Sequence, residues 1–181
     1  LASIDSLETI ATLYKEIIND VTDFITEETA KALVALKNKA LEELQAYLTV
    51  VISKIPDEGI RGRTQAKFDL LIAELTNVTA IDDIPTAVTN IKDELISFAV
   101  VEVREFFINS LSPLILSYID KIPDADLKAS LNAFYTAEVN KIKDITDLDD
   151  IVTIGNNFPA DIKNYVTSSL LPLAVSKLDT I

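Results

Sequence analysis

The chain is 181 residues long, carries a formal net charge of −13 and contains no Cys, Met, Trp or His. An acidic chain repels phosphate backbones and anionic lipid, which excludes nucleic acid and anionic membrane surfaces as partners. Without Cys and His there is no disulfide, no thiolate metal site, no thiol nucleophile and no imidazole base, so neither an enzyme nor a metal or cofactor is expected.

Hydrophobic residues still make up 49% of the chain, and mean hydropathy is +0.27. No apolar run approaches the roughly 20 residues that span a bilayer; the stretch Leu95 to Val101 is stopped by Glu102, Arg104 and Glu105. The apolar excess is expected in a large core, at a homo-oligomer interface, or around an apolar ligand.

The periodicity is helical throughout. Leu7, Ile10, Leu13, Tyr14, Ile17, Ile18 and Val21 recur at i, i+3, i+4, i+7, with Asp5 and Glu8 as a capping box. A second helix is expected after Thr26, running through Leu33, Leu36, Leu41, Leu44 and Leu48 to Ile52 and ended by Pro56-Asp57. Gly59-Ile60-Arg61-Gly62-Arg63 reads as a loop. A helix from about Thr64 follows. Thr79 with Asp82 is expected to cap the next, with Pro85 early in it. That helix, Thr86 to Asn109, should turn Val88, Ile91, Leu95, Phe98 and Val101 inward. Ser112-Pro113 reads as a new start, Asp124 as another cap, and Thr146 with Asp149 as a repeat of the earlier box. Gly155 reads as a helix end, with a last helix to about Lys177.

A short pattern recurs: Val21-Thr22-Asp23-Phe24, Val78-Thr79-Ala80-Ile81 and Ile145-Thr146-Asp147-Leu148. Lys54-Ile55-Pro56-Asp57 is repeated at Lys121-Ile122-Pro123-Asp124, and Ile81-Asp82-Asp83-Ile84 answers Leu148-Asp149-Asp150-Ile151. Such a period of about sixty residues predicts tandem helical units that bury their apolar faces against one another. The expectation is an all-α domain of roughly seven to nine helices in three units, 1–57, 58–124 and 125–181.

Few residues suggest chemistry. Asp144, Asp147, Asp149 and Asp150 lack the spacing of a calcium loop and read as caps. Arg61 and Arg63 are two of the three arginines and, with Lys67, form a local basic spot. Phe68, Leu71, Phe98, Phe106, Phe107, Phe134, Tyr135 and Tyr165 are the candidate lining of an apolar cavity. Asn77-Val78-Thr79 is a glycosylation sequon. It fits a secreted, extracellular protein, as does a sulfur-free chain beginning at Leu1 after removal of a signal peptide. The composition resembles that of small secreted helical lipid carriers. The expected function is a non-enzymatic carrier of a hydrophobic small molecule such as a lipid, fatty acid, sterol or pigment. The alternatives are a self-associating structural, surface-active or storage protein, and a secreted effector that binds a host protein.

Overall fold

Three Asp-capped helix starts, at Asp57, Asp124 and Asp147, organise the chain. The computed structural model describes residues 7–178, and the side chains of 10–176; Asp5 and the Glu8 carboxylate of the expected first cap lie outside these. Among the described residues there is no strand. Five helical rods occur: α1 (Leu7–Lys54), α2 (Glu58–Asn77), α3 (Ile84–Ile119), α4 (Ala125–Asp144) and α5 (Leu148–Tyr165), the last passing through a π-helical turn (Val166–Leu170) into α6 (Leu171–Leu178).

The all-helical expectation holds; the count of seven to nine helices does not, because expected breaks are absent. α1 runs unbroken through Val21-Thr22-Asp23-Phe24. There the Thr22 and Thr26 hydroxyls donate to the carbonyls four residues back, at 2.7 and 2.8 Å, so they bond back within one helix instead of capping a new one. Pro113 lies inside α3. An interior Pro costs about 3 kcal/mol; here Phe107 below it and Ile119 above it are both anchored in core, which offsets that cost. Gly155 and Pro159 lie inside α5, and no described Gly has positive φ, so Gly155 is not a helix stop.

α2, α4 and α5 start on carboxylates. Asp57 accepts from the Ile60 amide at 2.9 Å, and Asp124 from those of Asp126 and Leu127 at 3.0 and 2.9 Å. Asp147, not Thr146, caps α5, accepting from Asp149 and Asp150 at 2.8 and 3.1 Å. Nor does Thr79 cap: a 3₁₀ turn (Ile81–Asp83) follows Ala80 with no side-chain cap, and Pro85 then occupies the first turn of α3. An ionised carboxylate adds attraction to the helix dipole that a hydroxyl lacks. Gly59 to Arg63, expected as a loop, form the first turns of α2 because the Asp57 cap starts the helix before them.

α1, α2 and α3 run up, down and up, and α4 and α5 repeat the last two steps. Three core clusters follow. The first joins Leu44 and Leu48 of α1 to Phe68 and Leu71 of α2 and Ile91 and Leu95 of α3. The second, central, joins Val51 and Ile55 to Val100 and Val103 of α3 and Ile151 of α5. The third joins Ile119, Leu131, Tyr135, Ile142 and Phe158 with Leu170. At about 25 cal/mol per Å² of buried apolar surface, these clusters are the main source of stability. Surface ties add register: Lys54 pairs with Asp149 at 2.6 Å, and the Arg104 guanidinium reaches the Ile145 carbonyl at the end of α4.

Candidate functional site

The first half of α1 contributes nothing to the core. Every side chain from Ile10 to Ala32 is exposed, and Leu33 is the first half-buried one. Ile10, Leu13, Tyr14, Ile17, Ile18, Val21, Phe24 and Ile25 are 45–65% exposed. The periodicity read in the sequence is therefore a real helical stripe, but the other helices do not bury it, as tandem units covering one another's apolar faces would.

The stripe cannot close on its own domain by simple extension. At about 100° per residue, its centre lies about 150° around α1 from the face that carries the buried residues Ala40, Leu44, Leu48 and Val51. The acidic side chains Glu16, Asp20 and Asp23 lie off the stripe, which stays uncharged until Glu28. With ordinary side-chain areas, the exposures amount to roughly 900 Å² of apolar surface, against about 300–600 Å² for the largest patch on a typical monomer. That area matches one partner's share of a standard interface. No described helix is long and apolar enough to cross a membrane.

The eight aromatic and aliphatic candidates do not meet in one place. Phe68 and Leu71 belong to the first cluster. Phe107 belongs to the second, with Phe106 edge-on at 5.6 Å. Tyr135 lies in the third, edge-on to Phe158. Phe134 and Tyr165 stack at 4.0 Å beside it and line an open groove of about 360 Å³ with Glu138, Lys141 and Asp161. Phe98 is only half-buried and outside all three clusters, because α3 turns Leu95, Ala99 and Val103 inward instead.

Other candidates are tied up within the fold. Arg63 pairs with Glu102 at 2.7 Å, Lys67 with Glu94 at 3.1 Å, and Arg61 donates to the Pro56 carbonyl at 3.2 Å. Arg63 and Lys67 thus tie α2 to α3, and Arg61 ties it to the turn before it. Lys92 pairs with Glu43, which holds that carboxyl below its usual value; the hydrogen bond is the larger cause and charge attraction the next. The hydrogen bond from Lys54 to Asp149 likewise raises the Lys54 ammonium. Asn77 is exposed at the end of α2. Between α1 and α2 runs an apolar groove of about 230 Å³ lined by Val34, Leu41, Ile72 and Leu75, with Lys37 bonded across it to the Thr76 carbonyl at 2.8 Å.

No protein-family profile matches the chain, and neither a curated protein nor a solved structure is detectably similar to it.

Proposed function

We propose that this is a non-enzymatic, self-associating structural protein built of tandem helical units, and that the first half of α1 is its association element. The observation that carries this reading is the uncharged stripe from Ile10 to Ile25. A helical segment that joins no core gains little tertiary stabilisation, and short lone helices are marginal in water. Covering the stripe with a second copy buries the apolar surface and orders the segment in one step. An acidic, sulfur-free chain suits an extracellular assembly, because charge keeps free copies soluble and there is no thiol to oxidise.

Sedimentation velocity over a concentration series tests the reading. A weight-average mass that rises with concentration is expected, and Ile17→Glu with Phe24→Glu should abolish the rise. A single chain mass at every concentration would rule it out.

The apolar groove between α1 and α2 favours a second reading, carriage of a small hydrophobic molecule. Native mass spectrometry of protein from its source, with solvent extraction, tests it: an extractable extra mass supports carriage, and a bare chain mass removes it.

A further inference from the structure

The sequence has a spacing that recurs in the structure as a repeated helix pairing. Asp57 to Asp124 is 67 positions, and so is Ile81 to Leu148. The first pair caps α2 and α4, which have 20 residues each. The same step sets Ile17 and Phe24 of α1 in register with Ile84 and Ile91 of α3, and with Ile151 and Phe158 of α5. Ile84 is 7% exposed, Ile91 and Ile151 0%, and Phe158 1%, whereas Ile17 is 51% and Phe24 65% exposed. The stripe on α1 therefore corresponds to a face that α3 and the continuous α5–α6 rod bury.

What those helices bury it against is also periodic. Each rests on the second half of the preceding long helix: α3 on α1, and α5 on α3. At the contact the residue sizes are complementary. Ala40 shares a core cluster with Val88, and Phe107 fills the space beside Gly155. One further step of 67 from Phe107 reaches Ala174 in α6, and one step back from Val88 reaches Val21 in α1. These two are the unmatched members of the series. Val21 is 52% exposed, and beside Ala174 stand Leu171 and Val175, 58% and 50% exposed. The two faces lie at opposite ends: α1 projects past the 79–82 turn, whereas α6 follows Leu170 of the third cluster.

Building on the self-association reading above, we propose that copies join head to tail, the Ile17–Val21–Phe24 face of one packing on α6 of the next with Val21 against Ala174. The contact repeats in trans the helix pairing that the fold already makes twice. It is heterologous, so each added copy leaves a free head and a free tail until the copies close into a ring.

Complementing variants test the proposal. The head variant carries Ile17→Glu and Phe24→Glu; the tail variant carries Leu171→Glu and Val175→Glu. All four positions are exposed, and circular dichroism should match wild type. Wild type should form species beyond the dimer, each variant alone should be monomeric, and an equimolar mixture should form a heterodimer and stop there. Self-association of either variant alone, or no heterodimer in the mixture, overturns the head-to-tail mode while leaving self-association standing. Wild type that stays monomeric overturns both.

Discussion

The ring of Phe107 occupies the space that a side chain at Gly155 would need. A Cβ built on Gly155 would stand 2.5 Å from three carbons of that ring, closer than real contacts allow. Glycine is thus set here by close approach between α3 and α5, with an ordinary helical backbone. Gly155→Val should overpack the second cluster and cost about 1–3 kcal/mol, and Phe107→Ala should leave a cavity worth about 3–5 kcal/mol. The double variant installs the Ala40/Val88 combination and should recover about 1–3 kcal/mol of the summed loss as coupling. Denaturant unfolding of the four proteins measures it; strict additivity would mean that the two positions do not interlock.

Asp124→Ala and Asp147→Ala should each cost about 1 kcal/mol as lost caps. Thr79→Ala and Thr146→Ala should stay within about 0.5 kcal/mol, as surface changes do. Thermal unfolding separates the two pairs, and equal losses would contradict the cap assignment.

All-α architecture was legible because apolar residues recur at helical spacing, and the turns at Pro56-Asp57 and Pro123-Asp124 were legible because Pro and Asp punctuate locally. The helix count was not. Pro113 and Gly155 look like breaks in sequence, but α3 is anchored in core on both sides of Pro113, through Phe107 and Ile119, and α5 brings Gly155 against Phe107. The caps were misplaced by one residue at Thr146, where the neighbouring Asp147 offers the stronger acceptor. The α1 stripe was legible as a stripe; that nothing in the described fold covers it depends on the face on which α1 meets α2 and α3, which spacing alone does not fix.

Thr64 is fully buried on α2, and its hydroxyl has no partner. Thr64→Val keeps the shape and removes an unpaired polar group, so it should stabilise by about 1 kcal/mol. Differential scanning calorimetry should show a higher melting temperature, by about 2–4 °C; a lower one would mean that the hydroxyl is bonded in solution.

The Glu43 carboxyl is held below its usual value of 4.5 by Lys92. A depressed folded value stabilises above the unfolded one and loses that stabilisation as pH falls through the folded one. Glu43→Gln should therefore be less stable than wild type at neutral pH, and the gap should close in acid. A gap independent of pH would show that the pair contributes nothing through charge.

Whether a second copy covers the α1 stripe is tested most directly by hydrogen exchange of the amides of residues 10–25. In dilute protein these amides should exchange fast, because that half of the helix has no core behind it. In concentrated protein their protection should rise while the amides around Leu44 and Leu95 stay as they were. Exchange from 10–25 that is the same at both concentrations would contradict the account.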